Sequence, residues 1–178
     1  FVAASAGNSG PTTSTVAHPS PWITTVAAGT HDRALANGSV TLGNGSTFTS
    51  SPGTIQGIGP KALVDAAASG LSGVDPATLA LCFGATDDGV ARLDPAKVAG
   101  KIVVCDRGGN ALFNKALAVI DAGGVGMVLV NTPTGATTTP FVSYPIPAVH
   151  LTNVYYADLK AYAAQPGATA TINAATVV

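Results

Sequence analysis

The stretch from residue 100 to 131 leaves the chain few choices of fold. "GKIVVCDRG" carries a β-branched apolar run, Ile102 to Cys105. "NALFNKALAVIDAGG" then places Leu112, Lys115–Ala116 and Val119–Ile120 at i, i+3, i+4 spacing, and Gly123-Gly124 supplies a stop. "GMVLVN" follows, apolar throughout, as expected of a strand covered on both faces. Strand, helix and strand joined by short connections predict a βαβ unit, with parallel strands and a right-handed crossover.

Around that unit the remaining segments read as short elements. Trp22 to Ala28 predicts a strand entered through Pro19 and Pro21, and residues 1–6 predict a buried one. Val40-Thr41-Leu42 and Thr47-Phe48-Thr49 flank Asn44-Gly45, the strongest two-residue hairpin signal. Ala62 to Ala66 reads as a short strand between Gly/Pro punctuation. Asp75-Pro76 and Asp94-Pro95 each pair an N-cap with proline at the first helical position. "TDDG" between them reads as a solvated loop. "YPIPAVHLT" is a further strand. Thr152 is placed to cap a helix striped by Tyr155, Leu159 and Tyr162, and "ATATINAATVV" closes with an alternating strand. A composition break near residue 35 marks a domain boundary.

Charge excludes several functions. Only 10% of the 178 residues are charged, against about a quarter in ordinary domains, and the net charge is −1. No field draws nucleic acid or anionic lipid. No apolar run reaches the roughly 18 residues of a membrane span, and residues 1–4 lack the basic flank of a signal peptide.

The two cysteines, Cys82 and Cys105, fit one disulfide in an oxidising compartment; two buried thiols are the other reading. Neither has a Cys or His neighbour at ligand spacing, so no metal site is expected. Asn37-Gly38-Ser39 and Asn44-Gly45-Ser46 are glycosylation sequons as well as turn formers. His18, His31 and His150 stand in no motif that marks a catalytic base, and Ser9 lacks the Gly-x-Ser-x-Gly surround of an activated nucleophile. "VAGKIV" and "AGGVGMV" lack the order of phosphate-binding loops, so no cofactor is expected. Asp106-Arg107 reads as an ion pair or a loop clamp. Asn8, on the glycine-flanked turn "GNSG", is the kind of fixed amide that holds a developing oxyanion, worth about 3 kcal/mol; it also suits a plain turn.

"AASAGNSGP" with "VAHPSPWITTVAAGTHDR" closely resembles the oxyanion-hole segment of subtilisin-like serine proteases. "LCFGATDDGVARLDPAKVAGKIVVCDRGGN", "NKALAVIDAGGVGMVLVN", "IPAVHLT" and "ATATI" resemble the protease-associated domain inserted in secreted subtilases. The resemblance implies an α/β chain with a three-layer β/β/α domain over residues 36–178, and a strip of subtilisin-like core over residues 1–35. It implies Asn8 as the parent protease's oxyanion donor, and a Cys82–Cys105 disulfide. It further implies secretion, and contacts with protein or peptide substrates, with the rest of the catalytic domain, or with a second copy as a homodimer. The subtilase motifs that carry Asp, His and Ser are absent from the sequence, so the chain by itself is expected not to hydrolyse peptides. The alternative is a stand-alone protein-interaction module of a secreted glycoprotein.

Overall fold

The computed structural model describes residues 1–29 and 36–177. The chain divides into two compact units, Phe1–Ala34 and Leu35–Val178.

In the first unit, β1 (Ala3–Ser5) pairs in parallel with β2 (Thr24–Val26), Ala3 opposite Thr24. The expectation of a buried strand over residues 1–6 is corrected here: Phe1, Val2, Trp22 and Val26 are exposed. A two-stranded ribbon three residues long has no second layer against which to bury them.

The second unit is built on a closed seven-stranded barrel. Its first hairpin joins β3 (Ala36–Leu42) to β4 (Thr47–Pro52). Gly45 takes the left-handed φ of +91° that the tip requires, and Asn44 Oδ1 accepts from the Ser46 N–H at 3.0 Å. Next comes β5 (Ile58–Asp65), which starts earlier than the expected Ala62 and runs through Pro60. A register shift against the last strand, between Ile58 and Lys61, makes the missing Pro60 N–H tolerable.

Three parallel strands then follow: β6 (Ile102–Asp106), β7 (Gly126–Val130) and β8 (Ala148–Leu151). The β6–β7 pair is in register from Ile102–Gly126 to Asp106–Val130, as the βαβ reading requires. β5 joins β6 in parallel, and β8 pairs antiparallel with β4. β9 (Thr169–Val177) pairs with both β3 and β5, which closes the circle and leaves no open edge between the two β arcs.

Alternation along β6–β8 divides the apolar side chains between two cores. Ile102, Val104, Val128, Val130, Val149 and Leu151 face the barrel interior with Val40, Phe48 and Ile172. Val103, Cys105, Met127, Leu129 and Ala148 face outward into a helical cover. That cover holds α1 (Pro76–Ala80), α2 (Ala85–Asp88), α3 (Pro95–Val98) and α4 (Leu112–Asp121). Asp75 caps α1 by accepting from the Ala77 and Thr78 N–H groups, and Asp94 caps α3 through Ala96. The expected loop at "TDDG" is one turn of helix, with Thr86 and Asp88 exposed to solvent.

Helix α5 (Tyr156–Ala163) follows a 3-10 turn, Asn153–Tyr155, and Thr152 makes no side-chain cap bond. Its Leu159 and Tyr162 enter the interior core, and Tyr155 stacks on Phe48 at 4.7 Å.

A disulfide joins Cys82, at the end of α1, to Cys105 on β6, with 5.7 Å between Cα atoms. Opening it by a Cys82→Ala/Cys105→Ala exchange is expected to cost about 3 kcal/mol, the chain-entropy value for such a loop. Urea denaturation of both forms measures the cost, and two alkylatable thiols in the native chain would contradict the bridge.

Candidate functional site

Two groups of polar residues stand where chemistry or recognition is feasible. The first is the turn after β1. Gly7 has φ +84°, and a Cβ there would lie 2.9 Å from the Ala17 Cβ, so only glycine fits the approach. Asn8 and Ser9 follow it, both exposed. Nearby, His18 Nδ1 donates to the Ser5 carbonyl at 2.8 Å, and the Thr25 hydroxyl donates to the His18 carbonyl. With that nitrogen committed to backbone, His18 is a structural histidine. His31 lies outside the described residues, and His150 belongs to the second unit. Among the described residues, no hydrogen bond joins a histidine to Ser9.

The second group gathers at the carboxyl ends of β5 to β8, the end of a parallel sheet where ligands ordinarily meet an α/β protein. β5 ends in Asp65 and β6 in Asp106, and Lys160 of α5 reaches both, at 2.8 and 3.0 Å. Tyr156 donates its hydroxyl to Asp106 at 2.9 Å. Burial disfavours the Lys160 charge, but hydrogen bonds and attraction from Asp65 and Asp106 outweigh it and raise its pKa. The next residue, Arg107, does not pair with Asp106. It donates to the Thr138 carbonyl and to Asn131 Oδ1, clamping the β7–β8 connection. Asn131 is fully buried, donates to the Thr138 carbonyl at 3.0 Å, and accepts from His150 Nε2 at 2.7 Å.

A cleft of about 550 Å³ opens beside Asp65, with Lys97 and Lys101 on its rim and Ala67, Ala163 and Ala164 in its wall. Lys97 donates to the Gly70 carbonyl at 2.8 Å. The arrangement offers cations, amides and methyl groups to a partner. Among the described residues lining the cleft, the one hydroxyl, on Ser69, donates to the Asp65 carbonyl at 2.7 Å.

Behind the disulfide lies a group that pattern reading misses. Lys115 occupies an apolar-face position of α4 and is wholly buried. Its ammonium donates to the Leu81 and Gly108 carbonyls, at 2.6 and 2.8 Å, and to Asn110 Oδ1. Burial pushes its pKa down to about 8, opposed by the charges of Asp87 and Asp106, so it stays protonated at neutral pH. Asp87 accepts from the Gly84 N–H, Asn110 and Asn114, at 3.0, 2.9 and 2.8 Å. Burial works against its charge, but these bonds and Lys115 hold it below the usual carboxylate range. The sequence signal was the lysine itself, three residues after Leu112 on the buried stripe.

Of the remaining candidates, Asn37 is exposed on β3 and Asn44 is exposed at the hairpin tip. Among the described residues, no three His, Cys, Asp or Glu side chains gather as a metal site, and no helix is long and apolar enough to cross a membrane.

A family model for the PA domain matches residues 63–159. The chain is 44% identical to subtilisin-like protease SBT1.7 of Arabidopsis thaliana over 133 residues, covering 74% of this chain and 16% of that protein. It is 35% identical over 170 residues to subtilisin-like protease SBT1.6 of Arabidopsis thaliana, covering 92% of this chain and 20% of that protein. The chain thus spans a fifth or less of the curated relatives it matches. Among solved structures it is similar to a zinc aminopeptidase from Bacillus subtilis, at 18% identity and a TM-score of 0.44, over 79% of this chain and 30% of that one.

Proposed function

The chain belongs to the PA-domain family, and from that premise we propose that it serves a secreted subtilisin-like serine endopeptidase as a non-catalytic module. Residues 36–178 are its protease-associated domain, whose antiparallel arc, parallel arc and helical cover form three layers, β/β/α. Residues 1–35 are a strip of the catalytic domain, in which Asn8 donates to the oxyanion of the parent enzyme. The single observation behind this reading is that 35% identity to a subtilisin-like protease extends over 92% of the chain, more than residues 36–178 alone supply.

The parent's substrates, the rest of its catalytic domain and a second copy are the partners this module would meet. It acts on access and association, because its polar groups bind without a nucleophile to react. The disulfide and the kinship with subtilisin-like proteases support an oxidising, secretory compartment, where exposed Asn37 and Asn44 would be open to glycan.

Deleting residues 36–172 from the full protease tests the proposal. The expected variant cleaves a small chromogenic peptide nearly as well as the parent but changes its preference among protein substrates of different size. Loss of all activity in a folded variant would overturn the accessory role. The chain alone is expected to leave casein intact and to resist a fluorophosphonate probe, and labelling at Ser9 would refute its non-catalytic character.

A further inference from the structure

The β7–β8 connection is unusual. It runs from residue 131 to 147 without a helix or strand, yet links two adjacent parallel strands. Structureless connections of more than about 15 residues inside a domain are uncommon and are typically lids or binding loops. This one is tied down by few bonds. Arg107 and Asn131 hold the Thr138 carbonyl, Ser51 Oγ donates to the Thr139 carbonyl at 2.9 Å, and the Tyr144 N–H donates to the Gly53 carbonyl at 3.0 Å. From within it, buried Tyr144 and half-buried Val142 and Ile146 pack on the outer core.

We propose that residues 132–147 form an acid-released flap and that His150, buried under the flap on β8, is its latch.

Hydrogen-bond logic fixes the starting state. Asn131 Nδ2 donates to Thr138, so its Oδ1 is the acceptor and the His150 Nε2 must carry the hydrogen. Nδ1 is then the free base, and it is buried without a hydrogen-bond partner. A proton taken up there creates a buried imidazolium facing the like charge of Arg107.

The other titratable neighbour is Tyr144, whose buried hydroxyl also lacks a partner and is pushed up to about 12, so it stays neutral. Asp106 is engaged with Lys160 and Tyr156 instead. No carboxylate among the described residues bonds to His150. Burial, then repulsion from Arg107, outweighs an opposing hydrogen bond to the Pro140 backbone on the flap and brings its pKa down from 6.5 to about 4. For a base depressed in the closed state, closure is fully favoured above pH 6.5 and loses ground as pH falls towards 4. Opening the flap lets water reach Nδ1 and Tyr144 Oη, and exposes the flap's own Val142, Tyr144 and Ile146 together with Ala148 of β8.

Hydrogen exchange of the chain by mass spectrometry, corrected for intrinsic rates, tests the latch. Between pH 7 and 5 the opening equilibrium of residues 132–147 should rise about 20-fold, while β6 and β7 stay protected. His150→Gln retains a donor for Asn131 Oδ1 but takes no proton, so its flap protection should not respond to pH. Unchanged protection in the native chain, or the same loss in His150→Gln, overturns the proposal. A third arm needs no variant. Nitrogen NMR of His150 in the native chain should show the Nε2–H tautomer at pH 7, titrating together with the flap amides. Titration near pH 6.5 without flap movement refutes the latch.

Discussion

Lys160→Met is expected to lower the unfolding free energy by about 4 kcal/mol at pH 7, the scale on which a largely buried ion pair fails when one partner is removed. Asp65 and Asp106 have side chains only 14% and 9% exposed, and Lys160 is the cation that bonds both. Without it, two carboxylates remain at adjacent strand ends with the Tyr156 hydroxyl as partial compensation. Urea denaturation at pH 7 measures the effect. A loss under about 1 kcal/mol at pH 7 would mean that the cluster behaves as a screened surface pair. The placement of α5 would suffer with stability, since Lys160 anchors that helix to the ends of β5 and β6.

Lys115→Met is expected to be equally damaging, about 4 kcal/mol, although methionine fills a similar volume. The substitution strips charge-assisted donors from two backbone carbonyls and Asn110 Oδ1, all facing a fully buried position. Relief of the cost of burying a charge works in the opposite direction. The half-buried Leu81 carbonyl and Asn110 Oδ1, left without that donor, outweigh it, while the Gly108 carbonyl keeps the Asn110 N–H at 2.8 Å. A fall in Tm of about 12 °C follows for a chain of this size. Thermal unfolding followed by circular dichroism decides the matter, and a neutral result would mean that water replaces the ammonium. Local consequences should centre on residues 81–84 and 108–110, which Lys115 ties together beside the disulfide.

Much of this architecture was legible one segment at a time. The β6–α4–β7 unit, the two Asp-Pro helix starts and the hairpin around Asn44-Gly45 all follow from local periodicity, caps and turn chemistry. Misreadings arose where a neighbour overrides local preference. Pro60 would end a strand read in isolation, but the register shift against β9 lets β5 pass through it. Asp87 looked solvated until Asn110 and Asn114, more than twenty residues away, were seen to donate to it. Residues 1–6 have a buried strand's composition but are paired in a ribbon too small to bury them.

The candidate sites divide in the same way. The cysteine pair was readable because the sequence holds two cysteines, both flanked by apolar strand-like residues. The groupings of Lys160 with Asp65 and Asp106, of Lys115 with Leu81, Gly108 and Asn110, and of His150 with Asn131 and Arg107 were not. By itself the sequence determined which segments become strands and helices and which faces are apolar, because both depend on spacings of a few residues. Only the folded barrel decided which charges meet and which histidine is sealed from water. Those contacts join side chains up to 95 positions apart, and only closure of the strands brings them within hydrogen-bonding reach.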